Sequence, residues 1–286
     1  MYIADFPQFL EEKQCKGVKL HDKWIRTLLC ADDGALLAST SADLQEMLDA
    51  LKEYCSKWRM FVNTDKTEIV VFNHAKGESW INNKPVFFDD NVQFRIVEEF
   101  KYLGITFHST DHYSVTIQHR LTQGKRLLAC WMRRCNVWMF KPDMVIHQFT
   151  TCVLPAIEYG VGVWYAGYSV CNKKVWESVE VFWRSIARSI LGVSIFAPSG
   201  GIQGELEWYP FSVRAAWQAI CTWTRITRMP NDMWTRKALC VQREMLRDGR
   251  KCWLTSICES LCSTSEGMNI WNSWWNLNDF ANVVCK

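Results

Sequence analysis

The feature that most constrains the fold of this chain is a change of pattern near residue 110. Before that point, short apolar runs typical of strands surround one strongly amphipathic helix. After it, apolar residues recur at helical spacing to the end of the chain. The pattern predicts an α+β fold. A Pro/Gly/Ser cluster at 197–201 adds a boundary inside the helical part, so we predict three parts, residues 1–108, 109–196 and 197–286.

A β-hairpin followed by a helix is the clearest prediction in the first part. Two apolar runs, 24–31 and 34–39, meet at Asp32-Asp33-Gly34, and Asp and Gly both tolerate the positive φ of tight hairpin turns. The cluster Ser39-Thr40-Ser41 then offers N-cap residues. Apolar positions 44, 48, 51, 55 and 58 lie three or four apart, which predicts an amphipathic helix over 41–58.

The remaining elements follow from the same periodicities. We predict strands over 67–72 and 100–107 and a second hairpin around Asn82-Asn83. Helices are expected over 112–139, 142–166, 172–191, 210–229 and 232–247, with a further pair between 250 and 284. Pro142 suits a helix start and Gly192 a helix stop, whereas Pro155 should kink its helix at a cost of about 3 kcal/mol.

Composition excludes several classes of protein. No window approaches the ~18 apolar residues of a membrane span, and the N-terminus lacks the pattern of a secretory signal. Thirteen scattered cysteines therefore indicate reduced thiols in an intracellular protein, nuclear or cytoplasmic, that is not secreted. The C-terminal cysteines lack the Cys-x-x-Cys spacing of zinc sites, so we expect buried thiols there. Most of the 16 tryptophans are expected in the core, with a few available to stack on bases.

Residues 28–72 resemble the non-LTR (LINE-type) retrotransposon reverse transcriptases. That family carries an aromatic-x-Asp-Asp box on a hairpin, then an amphipathic helix, then Asn-x-x-Lys-Thr leading into a strand. Here these are the box at 30–33, the helix at 41–58 and the element at 63–67. The phrase FKYLGITF at 100–107 is similar to the family's strand entering the thumb. The resemblance implies the C-terminal part of a palm over 1–108, a helical thumb over 109–196 and a helical extension over 197–286.

The resemblance also implies a catalytic role for three residues. Asp32 would bind Mg²⁺ directly, Asp33 would support it, and Lys66 would stand near the incoming nucleotide and protonate the leaving pyrophosphate. Two divalent ions with hard oxygen ligands are the usual clamp in such chemistry. The alternatives are that Asp32 and Asp33 are turn formers and that Lys66 is a solvated residue at the start of a strand.

A basic helix is the candidate for contact with an RNA template and DNA primer duplex. The helix predicted over 112–139 holds Arg120, Lys125, Arg126, Arg133 and Arg134, with Arg126 and Arg133 on one face and Lys125 and Arg134 close to it. Leu121, Leu128, Trp131 and Cys135 form the opposing, packed side. Contacts of this kind would be independent of sequence and sensitive to salt. The alternative is a solvated helix face. The net charge of +3 is too small to decide between them.

Two departures from the family pattern bear on activity. Cys30 stands where the family has an aromatic ring beside the primer end. The family's partner Asp and its fingers are expected upstream of the first residue, so we expect the isolated chain to be inactive. Three functions stay open: an inactive retrotransposon fragment, a non-catalytic nucleic-acid-binding module, and part of a longer active polymerase.

Overall fold

The structure, a computed structural model, describes residues 3–20, 23–72, 87–88, 92–110, 113–134, 141–165 and 173–284. It divides into two compact units. The first comprises Met1–Lys101 and His108–Thr110, and the second comprises Tyr102–Phe107 and Asp111–Lys286. The first is built from short strands and two helices, and the second is dominated by helices. The predicted α+β class is therefore confirmed, whereas the names of the three parts stay predictions.

Paired short strands and two helices make up the first unit. Helix α1 spans Phe6–Glu12 and helix α2 spans Ser41–Trp58. The strands are β1 (Val18–Leu20), β2 (Lys23–Ile25), β3 (Thr27–Cys30), β4 (Asp33–Leu36), β5 (Glu68–Ile69), β6 (Phe87–Phe88), β7 (Val92–Gln93) and β8 (Arg95–Ile96). Three pairs, β1–β2, β3–β4 and β6–β7, are antiparallel, and β5 pairs with β8 in parallel.

Helix α2 organises the core of the first unit. The hydroxyl of Thr40 accepts a hydrogen bond from the backbone N–H of Asp43 at 3.1 Å and so caps its N-terminus. Arg59, in the left-handed region at φ +54°, ends the helix. One face buries Met47 and Tyr54 against α1 residues Phe6 and Leu10. The predicted bounds of 41–58 are confirmed at both ends.

The second unit begins at a hairpin whose tip it contains. Strand β9 (Glu99–Tyr102) pairs with β10 (Ile105–His108) through Leu103 and Gly104, both at positive φ. The single strand predicted over 100–107 is therefore wrong. Apolar content favoured one extended run, but Leu103 adopts φ +47°, a conformation that its side chain does not signal.

Ten helices follow the hairpin in the described part of the second unit. They are α3 (Ser114–Arg134), α4 (Pro142–Cys152), α5 (Leu154–Glu158), α6 (Val161–Trp164), α7 (Lys173–Leu191), α8 (Ser199–Glu205), α9 (Phe211–Thr227), α10 (Trp234–Arg247), α11 (Trp253–Cys262) and α12 (Ser265–Val284). None of the helices in the described ranges is long and apolar enough to cross a membrane.

Several predicted elements differ from those observed. The helix predicted over 142–166 is three short helices, broken at Val153, just before Pro155, and at Tyr159-Gly160, where Gly160 has φ +70°. The strand predicted over 67–72 is reduced to β5. The 197–201 cluster begins helix α8, which was not predicted. The hairpin predicted around Asn82-Asn83 lies outside the described residues.

One aromatic core holds the second unit together. Helix α7 buries Trp176, Trp183 and Ile186, and Trp183 stacks on Trp208 with ring centroids 4.5 Å apart. Residues predicted as thumb and residues predicted as extension both belong to this core. The expectation that most tryptophans are structural is confirmed for Trp131, Trp164, Trp176, Trp183, Trp223 and Trp271, which are buried, whereas Trp217 is 67% exposed.

Candidate active site

The hairpin β3–β4 carries the two candidate metal ligands at its tip. Cys30 pairs with Asp33, so the turn consists of Ala31 and Asp32. Ala31 adopts φ +57°, and Asp33 is the first residue of β4. Both carboxylates are exposed. The predicted position of Asp32 and Asp33 at a hairpin tip is confirmed, although Asp33-Gly34 is not the turn itself.

The register of the hairpin explains that shift. Gly34 pairs with Leu29, and a Cβ built on Gly34 would lie 3.3 Å from Cδ2 of Leu29. The glycine therefore relieves crowding across the strands instead of providing the positive φ of the turn. Ala31 instead adopts the positive φ, a backbone conformation that alanine tolerates poorly. Unfavourable backbone angles of this kind concentrate at functional sites.

Lys66 is held by a compact turn that the Asn-x-x-Lys-Thr element builds. The side-chain oxygen of Asn63 accepts from the backbone N–H of Lys66 at 3.2 Å. The carbonyl of Asn63 accepts from the N–H of Thr67 at 3.1 Å and from its hydroxyl at 2.8 Å. Asn63 and Thr67 thus fix the backbone, and Lys66 is left exposed. Lys66 makes no ion pair with Asp32 or Asp33, so the structure does not bring these three groups into direct contact.

The described residues supply an incomplete donor set for a divalent metal ion. No group of three or more His, Cys, Asp or Glu side chains is close enough to hold one within the ranges that the structure describes. Asp5, a carboxylate upstream of the hairpin, accepts a hydrogen bond from the hydroxyl of Tyr54. Burial and this hydrogen bond raise the pKa of Tyr54 to about 12. Two hairpin carboxylates alone do not fit a two-ion clamp.

The candidate duplex surface lies on helix α3. Its packed side is confirmed for Leu121 and Trp131, which are buried, and Leu128, which is partly buried, whereas Cys135 lies outside the described residues. Lys125, Arg126 and Arg133 are exposed on the helix. None of these three makes an ion pair with another described residue, and α3 contains no acidic residue. Arg134 is the last residue of the helix.

Arg120, on the same helix, holds a turn of the preceding hairpin, a role that the sequence did not indicate. Its guanidinium donates to the carbonyl of Gly104 and lies 4.7 Å from the ring centroid of Tyr159. The hydroxyl of Tyr159 donates to the carbonyl of Leu103 at 2.8 Å. The Leu103-Gly104 turn is therefore clamped by two side chains from different helical segments. Neither residue is close to the turn in sequence, so no local pattern could have indicated it.

Comparison with known proteins agrees with this arrangement. The reverse transcriptase (RNA-dependent DNA polymerase) family matches residues 2–107. The matched segment holds the hairpin with Asp32 and Asp33, the capped helix α2 and the turn that presents Lys66. This part of the chain is thus a reverse-transcriptase segment.

Similar proteins narrow the class further. The chain is 23% identical over 178 residues to an uncharacterized transposon-derived protein of Caenorhabditis elegans, and the alignment covers 62% of this chain and 61% of that protein. It is 29% identical over 140 residues to a Pol polyprotein from the type-1 retrotransposable element R2 of Popillia japonica, covering 48% of this chain and 22% of the relative. It is 22% identical over 255 residues to the RNA-directed DNA polymerase from mobile element jockey of Drosophila funebris, covering 85% and 26%. Together with the family match over residues 2–107, these similarities support a non-LTR retrotransposon reverse transcriptase.

The matches cover only part of each relative. The chain spans 61% of the transposon-derived protein and about a quarter of each of the two polymerases. No solved structure matches the chain significantly.

Proposed function

We propose that this chain is the palm hairpin, thumb and following helical region of a retrotransposon RNA-directed DNA polymerase. The observation that carries the proposal is the hairpin β3–β4, which displays Asp32 and Asp33 at an exposed tip inside the segment that matches the family. In the whole polymerase, Asp32 would bind Mg²⁺ and Asp33 would support that site. Mg²⁺ would supply charge stabilisation for phosphoryl transfer there.

Lys66 fits the role of a proton donor to the leaving group. Its backbone is fixed by Asn63 and Thr67, and its ammonium group is exposed. A positioned general acid of this kind typically contributes about 10²–10⁴-fold to the rate. Fixing the backbone and leaving the side chain exposed is the arrangement that such a donor requires, because the substrate must reach the ammonium group.

We further propose that the 286-residue chain, assayed by itself, does not extend a primer. In-line phosphoryl transfer depends on ions clamped between carboxylates from separate strands. Among the described residues no group of three or more His, Cys, Asp or Glu side chains could hold a metal ion, and Asp5 is engaged by Tyr54. Cys30 also gives the primer end a smaller apolar contact than the family's aromatic ring.

A primer-extension assay on an RNA template with Mg²⁺ or Mn²⁺ tests this proposal. The purified chain and its Asp32→Ala variant are expected to give the same background signal. Extension that Asp32→Ala abolishes would show that another carboxylate completes the site. In that case Asp5→Asn, which removes the candidate substitute while leaving the hairpin intact, identifies or excludes it.

The helix α3 surface is proposed to hold the RNA–DNA duplex through its phosphates. Lys125, Arg126 and Arg133 are exposed on a helix that contains no acidic residue. Their charges are therefore not neutralised within the helix, which supports contact with phosphates. Arg134 extends the same cluster in sequence. The test is duplex affinity, measured over a range of salt concentrations, for the variant in which all four residues are changed to Ala. The slope of log affinity against log salt concentration should decrease by up to about 0.9 for each phosphate contact that is removed.

A charge-matched variant controls for general loss of positive charge. Lys16, Lys19, Lys23 and Lys101 are exposed, and changing these four to Ala removes the same charge elsewhere. The control should keep most of the duplex affinity. Equal losses in both variants, or no loss in either, would leave the α3 side chains as a solvated helix face.

A further inference from the structure

The net positive charge of this chain comes from its C-terminal part, residues 211–286. Residues 211–286 hold ten basic and six acidic residues, whereas residues 1–210 hold 23 basic and 24 acidic ones. Residues 211–286 therefore carry a net charge of +4 and residues 1–210 a net charge of −1, so the chain's net charge of +3 comes from this C-terminal part. The net charge of the whole chain, +3, does not reveal this uneven distribution. The distribution does not depend on which individual side chains are paired, because the basic residues outnumber the acids in this region.

Helix α9 presents an outward stripe in which an aromatic residue is in line with arginines. Its exposed positions are Val213, Trp217, Cys221 and Arg225, and Arg228 caps the end. Positions four apart lie on one helix face. The opposite face, with Phe211, Ala215, Ala219 and Trp223, is buried in the core. The stripe thus runs from an apolar end to a basic end on a well-anchored helix.

The chemistry of the stripe is set by Trp217, Arg225 and Arg228. Trp217 is 67% exposed, whereas most other tryptophans of this unit are packed in the core. Arg225 and Arg228 make no ion pair with any residue in the described ranges, and both are exposed. At a rise of about 1.5 Å per residue, Trp217 is about 12 Å along the helix from Arg225 and about 16 Å from Arg228. That distance corresponds to a few nucleotides of extended single strand.

A second group of arginines lies on helix α10. Repulsion by Arg247 and Arg236 adds to burial in lowering the pKa of Arg243, so these guanidinium groups share one positive field. Arg243 itself is buried against the rings of Trp274 and Trp275, 5.5 Å and 4.9 Å from their centroids. It therefore holds α10 against α12, and Arg247 lies 5.5 Å from the centroid of the same Trp275 ring.

We propose that the α9 stripe is a binding surface for single-stranded nucleic acid. One base stacks on Trp217, and phosphates farther along the strand contact Arg225 and Arg228. A stacking platform beside a row of cations is the usual construction for single strands, because every base has a π-face and every linkage carries a charge. A duplex would not offer a free base to Trp217. The surface is separate from α3, so the inference stands whether or not α3 holds the duplex.

The test is the affinity of the full 286-residue chain for a fluorescently labelled single-stranded RNA, measured by anisotropy over a range of salt concentrations. Trp217→Ala is expected to weaken binding about 5-fold or more, and Trp217→Phe should retain most of it because a ring can still stack. Arg225→Gln with Arg228→Gln should reduce the slope of log affinity against log salt by about 1.4. Lys16→Gln with Lys19→Gln is the charge-matched control and should leave binding nearly unchanged.

Several results would overturn the proposal. Wild-type binding to single strands that Trp217→Ala does not weaken excludes stacking at this site, and so does absence of binding altogether. A Trp217→Ala chain that changes from dimer to monomer, with unaltered RNA affinity, would make the stripe a self-association face. The fourfold α3 variant separates the two proposals, since it should lower duplex affinity while leaving single-strand affinity intact. Circular dichroism confirms that each variant is folded.

Discussion

Gly104 is the residue at which backbone conformation and side-chain packing most clearly coincide. It has φ +79°, and a Cβ built there would lie 3.0 Å from Cε1 of Tyr159 and 3.3 Å from Nη2 of Arg120. The clamp formed by Arg120 and Tyr159 closes over the turn because glycine leaves room for both. The glycine of the FKYLG phrase is therefore explained by two requirements, and only one of them concerns the backbone.

Gly104→Ala should accordingly destabilise the chain by about 2 kcal/mol, since left-handed backbone costs other residues about 1–2 kcal/mol and the clamp must also shift. Gly249→Ala is the matched control. Gly249 has φ +72° and nothing within 4 Å of a built Cβ, so it should lose only the backbone part, about 1 kcal/mol. Urea denaturation of both variants measures the difference. Equal losses would contradict the packing contribution of Arg120 and Tyr159.

Tyr54 gives the first unit a dependence on alkaline pH. Burial, and then the hydrogen bond to Asp5, raise its pKa from 10.0 to about 12. A folded-state pKa above the unfolded value means that the stabilisation is fully present below pH 10. It is lost as the pH rises from 10 towards 12, because the unfolded chain releases the proton first.

Tyr54→Phe should therefore make the free energy of unfolding fall less steeply between pH 10 and 12. The variant also loses the hydrogen bond to Asp5, which lowers stability by about 1 kcal/mol at neutral pH. The slope with pH, not the neutral value, is the informative quantity. Tyr209→Phe, at an exposed position, is the control, and a wild-type-like slope in Tyr54→Phe would contradict this account.

At the scale of single elements, the hairpin β3–β4 combines a functional tip with an unfavourable turn. Ala31 holds φ +57° directly before Asp32. The same two-residue connection sets the pairing of Cys30 with Asp33, and so fixes where both carboxylates emerge. Backbone strain in this element is thus linked to the placement of the candidate metal ligands.

Ala31→Gly should stabilise the chain by about 0.5–1 kcal/mol, because relief of the left-handed strain exceeds the added entropy of the unfolded chain. Ala35→Gly, within β4, should instead cost about 0.5–1 kcal/mol. Thermal denaturation distinguishes the two. Destabilisation by Ala31→Gly would mean that the alanine methyl makes a contact that outweighs the backbone strain.

Elements with signals at both ends could be predicted from sequence, and elements shaped by distant contacts could not. Helix α2 was bounded correctly because Thr40 caps it and a local apolar pattern fills it. The run 100–107 was not, because Leu103 turns only where Arg120 and Tyr159 hold it. In the candidate site, Asp32 and Asp33 were placed at a tip by local turn chemistry. The charge distribution of α9 and α10 was readable from sequence, but the exposure of Trp217 required the packing of α9.

At the scale of the whole molecule, the second unit contains its own core. All the buried residues of the large aromatic cluster lie between Ile117 and Trp271. The hairpin tip adds polar ties to that core, since the hydroxyl of Thr116 donates to the carbonyl of Thr106 and Thr106 contacts His119 at 3.0 Å. A unit with these properties satisfies the usual criterion for independent folding.

A fragment of residues 98–286 should therefore give a helical circular dichroism spectrum and a cooperative thermal transition. A shorter fragment, 111–286, lacks the hairpin and leaves Thr116 and Arg120 without the carbonyls that they bind. It should melt at a lower temperature, by several degrees for each kcal/mol lost. Gradual melting of the longer fragment would show that the second unit needs the first.

The stacked pair of Trp183 and Trp208 also gives the second unit a spectroscopic signal. Two indoles at 4.5 Å with planes 22° apart are close enough for their electronic transitions to couple. The coupling should contribute a paired positive and negative band in circular dichroism, and Trp208→Phe should weaken that band. Because both rings belong to the second unit, the band would follow the melting of that unit separately from the loss of helix in the whole chain.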